Sequence, residues 1–132
     1  MTPVSGKYLL DTNIIIALLA NESPAREGVA GADYVFASSV AIGELCFGAR
    51  KSRRPQQNLA RVEEFAASCP VLGCDTETGR RYGELKNALR LKGRPLPEND
   101  IWVAAIALQH GLTLVSRDAH FNHIDDLALA VW

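Results

Sequence analysis

Short apolar runs alternate with longer stretches of helical period along the whole chain, and this alternation leaves few folds open. Strands separated by helices pair in parallel, because a parallel pair needs a crossover and a helix is the usual one. The expected fold is an α/β three-layer sandwich, with a mainly parallel central sheet flanked by helices and a single domain over residues 1–132. A chain of 132 residues buries about two thirds of its unfolded surface, enough for one core without disulfide or metal staples.

The punctuation fixes the elements. Tyr8 to Leu10 reads as a first strand, after which Thr12 or Asn13 caps a helix carrying Ile14 to Leu19. Pro24 opens a second short helix. Tyr34 to Ala37 is a strand, and Ser38 and Ser39 suit the cap of a helix through Ala49 that carries Glu44. Pro55 suits the first turn of the next helix, with Leu59, Val62 and Phe65 in step. Val71 and Leu72 form a short strand. Asp75 or Thr76 opens a long helix that ends near Gly93, since Arg94-Pro95-Leu96-Pro97 cannot continue it. Ile101, Ala104, Ala105 and Leu108 then recur at helical spacing up to Gly111. Thr113 to Ser116 reads as a buried strand, and Ala128 to Val131 as a last one.

Ligand sites of open parallel sheets form beyond the carboxyl ends of the strands. Asp11 and Asp118 each follow an apolar strand there, Asp100 starts a helix, and Glu44 lies one turn into another. Four carboxylates in one crevice repel each other by about 3 kcal/mol per pair at an effective dielectric near 20, so such a cluster calls for a cation. Oxygen-only donors point to Mg²⁺ or Mn²⁺, and such ions drive phosphodiester hydrolysis without a separate histidine base or serine nucleophile. Each acid also has a plainer reading. Asp11 suits an N-cap, Asp100 opposes a helix dipole, Asp118 suits a turn, and Glu44 suits a salt bridge to an arginine.

Other residues carry weaker signals. His120 and His123 are three apart beside Asp118 but read as turn histidines, His110 as a dipole partner, and Trp102 as packing or interface rather than a base-stacking platform. Cys46, Cys69 and Cys74 belong to no metal-binding pair and read as reduced, mostly buried thiols. No apolar run approaches the ~20 residues of a membrane span, and residues 1–7 hold no leader-like stretch, so the cytoplasm is the expected compartment.

The net charge of −1 speaks against a nucleic-acid partner until its distribution is considered. With the four clustered acids set aside, 11 acidic residues face 14 basic ones. The excess gathers in Arg50, Lys51, Arg53 and Arg54, and again in Arg80, Arg81, Lys86, Arg90, Lys92 and Arg94, runs that a solvated helical face also explains.

Four blocks in order, Tyr8-Leu9-Leu10-Asp11-Thr12-Asn13, Ser39-Val40-Ala41-Ile42-Gly43-Glu44-Leu45, Asn99-Asp100-Ile101-Trp102-Val103-Ala104-Ala105 and Ser116-Arg117-Asp118-Ala119-His120-Phe121, resemble the motifs of PIN-domain nucleases. Length and order are similar to the VapC toxins of prokaryotic toxin–antitoxin pairs. The resemblance implies an acidic pocket of Asp11, Glu44, Asp100 and Asp118 that binds Mg²⁺ or Mn²⁺, with Asp11 and Asp100 the firmest ligands and Thr12, Asn13 and Ser116 in support. It further implies an endoribonuclease acting on RNA such as tRNA or ribosomal RNA, a homodimer, and a cognate antitoxin whose tail enters the active-site groove. A haloacid-dehalogenase-like phosphotransfer domain would need an acid where Asn13 stands, and a response-regulator receiver would need a late-strand lysine where only Arg117 is found. The remaining alternative is a non-catalytic PIN-like module that binds RNA or protein, against which the intact acid set weighs.

Overall fold

The computed structural model describes residues 6–132, so the expectation for residues 1–7 falls mostly outside the described part. Five strands, β1 (Lys7–Leu10), β2 (Tyr34–Ser38), β3 (Val71–Leu72), β4 (Thr113–Val115) and β5 (Leu129–Ala130), form a sheet in the order β3-β2-β1-β4-β5. Every pairing is parallel, with Leu9 opposite Phe36 on one side and Leu114 on the other. Six helices join them: α1 (Thr12–Leu19), α2 (Ser23–Gly31), α3 (Ser39–Arg50), α4 (Pro55–Ser68), α5 (Thr76–Lys92) and α6 (Glu98–His110), with a 3-10 turn at Ala119–His123.

Side chains alternate across the pleat, and this divides the core in two. Leu9 and Leu114 face a cluster built with Leu89, Ile101, Ile106 and Phe121, whereas Leu10 and Val115 face Ile14, Ile15, Ala41, Leu45 and Val62. These four strand residues are fully buried, each contributing roughly 1.5–3 kcal/mol of apolar burial. The sheet therefore lies between α5 and α6 on one face and the first four helices on the other. From β1 the chain winds outward to β2 and β3, then crosses back to β4 beside β1. That reversal opens a crevice between the carboxyl ends of β1 and β4.

Several local expectations change. The N-cap of α1 is Asp11, not Thr12 or Asn13, and its side chain makes no capping bond. Ser38 alone caps α3, accepting from the Ala41 N–H at 3.0 Å. At α5 the cap is Asp75, in a reciprocal box with Thr78. Gly93 and Gly111 end α5 and α6 at φ +67° and +65°, where any side chain would be strained. α6 is not one-faced: Val103, Ile106 and Ala107 are buried as well as Ile101, Ala104 and Ala105, because the helix is covered by its neighbours as well as by the sheet. All three cysteines are free; Cys74 is exposed, and Cys46 and Cys69 are half-buried at the edge of the core. Trp102 does pack, its ring stacked on Tyr82 with centroids 4.0 Å apart.

Candidate active site

Asp11 leaves β1 and Ser116 leaves β4, one on each side of the crevice. Their meeting is fixed by the strands: Leu10 pairs with Val115, and the Asp11 N–H donates to the Val115 carbonyl at 2.9 Å. Ser116 Oγ then donates to Asp11 Oδ2 at 2.7 Å. The same hydroxyl oxygen accepts from Asn13 Nδ2 at 3.3 Å and from the Asp118 N–H at 3.0 Å. Two donors occupy its lone pairs, so its proton is left to Asp11. Asn13 is held in turn by the Arg117 N–H, which donates to its Oδ1.

Asp118 caps the 3-10 turn, accepting from the His120 N–H at 2.9 Å, with His120 Nδ1 at 2.9 Å from the same oxygen. His120 thus turns to Asp118, and the His123 carbonyl accepts from Lys92. On the other side Thr12 Oγ1 donates to Glu44 Oε1 at 2.9 Å, in place of the arginine partner considered for Glu44. Asp100 projects from the first turn of α6, half-buried.

Electrostatics link the four. Burial pushes the Asp100 carboxyl up to about 6, helped by the charges of Asp11, Asp118 and Glu44 in that order, with His120 opposing. Asp11 is buried, and this raises its pKa against the lowering effect of the Ser116 bond, while the Asp118 charge adds to the rise. Acids from three other segments therefore lie within electrostatic reach of Asp100. Crowded, partly desolvated carboxylates of this kind cluster at functional sites.

The carboxylates offer oxygen donors only, a set that suits a hard divalent cation. Among the described residues no three His, Cys, Asp or Glu side chains already stand at the spacing of a finished metal shell. The fit is one of donor chemistry and charge. Beside the acids, Thr12, Ile16, Glu44, Leu45 and Val62 help line a groove of about 400 Å³ between α1, α3 and α4. Sequence reasoning missed Arg117, whose side chain donates to the Trp132 carbonyl at 2.8 Å and pairs with Glu22 at 3.2 Å, tying the Asp118 loop to the last strand's exit and to α2. Its place beside Asp118 is the one signal the sequence offers.

Comparison with known proteins decides the family: the PIN domain model matches residues 8–127, almost the whole chain. This chain belongs to the PIN-domain family. Ribonuclease VapC2 of Haemophilus influenzae is 36% identical to this PIN domain over 130 residues, covering 96% of this chain and 98% of its own. The tRNA(fMet)-specific endonuclease VapC of Shigella flexneri is 33% identical over 129 residues, with 96% and 98% covered. A crystal structure of DNA-bound VapBC from Salmonella typhimurium superposes with a TM-score of 0.88 at 32% identity, covering 96% of this chain and 98% of that one. The all-parallel sheet and flanking helices are thus the PIN architecture.

Proposed function

We propose that this PIN domain is a divalent-metal-dependent endoribonuclease, the toxin of a toxin–antitoxin pair, acting through Asp11, Glu44, Asp100 and Asp118. The observation that carries the reading is the raised Asp100 carboxyl, lifted to about 6 by burial and by the other three acids at a sheet switch point. Ribonuclease relatives along nearly the full length support the activity. The non-catalytic alternative is not favoured, since the sequence keeps an acid at each of the four motif positions.

When bound, Mg²⁺ or Mn²⁺ supplies Lewis-acid charge that polarises a phosphodiester and offsets the negative charge developing on it. The chain's own residues prepare the pocket. Ser116 holds Asp11 by its single proton, Asn13 fixes Ser116, Thr12 aims Glu44, and the His120 N–H orients Asp118. The partners proposed are RNA, with tRNA or ribosomal RNA as the class, a second copy in a homodimer, and a cognate antitoxin. The VapBC relatives support the last, and the groove beside Glu44 offers its tail an apolar seat. A substrate of this class implies a cytoplasmic activity; separately, no helix among the described residues is long and apolar enough to cross a membrane.

The test is cleavage of transfer RNA by the purified chain. Cutting should need added Mg²⁺ or Mn²⁺, stop in chelator, and fall at least a hundredfold in Asp100→Asn, the scale of losing a group that stabilises transition-state charge. Undiminished cutting in excess chelator, or a loss under about threefold in Asp100→Asn, would overturn the reading.

A further inference from the structure

The two basic runs read alike in the sequence, and the structure separates them. On α5, Arg80 and Arg81 pair with Glu77, Lys86 with Glu98, and Lys92 with Asp125, while Arg90 donates to Asn87. At the turn from α3 to α4 the opposite holds. Arg50, Lys51, Arg53 and Arg54 are all exposed, and among the described residues none of them pairs with a carboxylate. From Leu45 to Val62 there are five cations and no acid, in a chain whose net charge is −1. The turn is also held in shape: Ser52 Oγ donates to the Ala49 carbonyl at 2.6 Å and accepts from Asn58 Nδ2 at 2.8 Å.

The same helix connects this turn to the acid pocket. Glu44 lies in the second turn of α3, and Lys51 follows about 10 Å further along the axis at 1.5 Å per residue. Between them is Phe47, one turn from Glu44 on a neighbouring line of the helix, 65% exposed. Lys51 Nζ lies 4.9 Å from the centre of its ring. An exposed aromatic beside free cations is the composition that holds a single strand, with the ring taking a base and the cations taking phosphates.

We infer that the exposed face of α3 and the α3–α4 turn carry the RNA strand away from the acid pocket, with a base stacked on Phe47 and its flanking phosphates on Lys51, Arg53 and Arg54. The inference rests on the ribonuclease reading and adds to it a path for the substrate. A second copy of the chain is a poor occupant, because from Leu45 to Val62 this face offers no acid to meet the cations of its twin. The α5 run, where three carboxylates already pair with four of the cations, takes no part.

The test is binding of a short fluorescein-labelled oligouridylate to Asp100→Asn protein in Mg²⁺, read by anisotropy across a salt series. Replacing Lys51, Arg53 and Arg54 together by Gln should weaken binding at least tenfold and flatten the slope of log affinity against log salt by about 2, at about 0.7 for each phosphate left without its cation. Phe47→Ala should cost about fivefold or more, and Phe47→Trp should restore it. Arg80→Gln with Arg90→Gln should leave the slope unchanged. Thermal melts of each variant establish folding, and Lys51→Glu with Arg53→Glu serves as a second probe if the triple variant melts low. An unchanged slope together with wild-type affinity in Phe47→Ala overturns the proposal. So does unchanged RNA affinity accompanied by a shift in oligomer mass or a lost affinity for an acidic peptide, which would make this face a protein interface. The wild-type chain separates the two readings: if it cuts no RNA with either metal, the ribonuclease reading fails, whereas unchanged KM and salt slope in variants of an active enzyme remove this surface alone.

Discussion

Ser116 and Asp11 lie 105 residues apart in the chain and are joined by a 2.7 Å hydrogen bond whose proton has nowhere else to go. The bond exists because β4 pairs with β1 in the register that sets Val115 beside Leu10.

Removing it should therefore be felt at Asp11 first. In Ser116→Ala, kcat for RNA cleavage should fall about tenfold or more, since hydrogen bonds to charged groups are worth ~1.5–3 kcal/mol. The Asp11 carboxyl, already raised by burial, is then without the hydroxyl that lowers it, so the acidic limb of the pH–rate profile should move to higher pH. Ser116→Thr keeps the hydroxyl and should restore the profile. A profile that does not move in Ser116→Ala would reduce Ser116 to packing.

Asp100 gives a stability test that needs no substrate. Its folded pKa of about 6 stands above the ordinary 3.8, so in chelator its charge costs stability fully above pH 6. As pH falls through the folded value, the native state takes up the proton first, and the cost disappears by the time the unfolded chain is protonated as well. Asp100→Asn should thus melt higher than wild type at pH 7 in chelator, with the gap closing toward pH 4. Mg²⁺ should raise wild type more than the variant, because a ligand that binds only the native state stabilises it more the tighter it binds, and the variant has lost a carboxylate ligand. A variant that melts lower at pH 7 would mean that Asp100 is structurally paired and not crowded.

Trp102 separates packing from RNA contact. It stacks on Tyr82, whose hydroxyl donates to Glu98. Trp102→Ala should destabilise the fold by about 2 kcal/mol, the loss of a half-buried aromatic and its stacked pair. Below the melting range, oligouridylate affinity should match wild type. A drop in affinity without a drop in melting temperature would give Trp102 the stacking role assigned above to Phe47.

The acids are legible in the sequence because strand-then-acid and helix-start acid are local patterns. Leu9-Leu10-Asp11 and Leu114-Val115-Ser116-Arg117-Asp118 announce both their strands and their polar exits. What joins them is not legible, since Ser116 to Asp11 and Thr12 to Glu44 are contacts between distant segments that depend on strand order. The cap of α1 is misread for the same reason. Thr12 and Asn13 have good capping side chains, but Glu44 and Ser116 claim them. Periodicity likewise shows one apolar face of α6 and cannot show that helices cover the others. Charge runs are visible only as runs; whether a cation is free depends on the acid that folding brings to it, as Glu98 comes to Lys86.

The central position of β1 also governs when the site can exist during synthesis. A nascent chain that ends before β4 holds Asp11, Glu44 and Asp100 but neither Ser116 nor Asp118, and the strand that would pair along the free edge of β1 has not been made. Translation must pass residue 118 before the crevice has a second wall. The acid pocket therefore cannot close during synthesis until β4 and the loop that carries Asp118 have emerged.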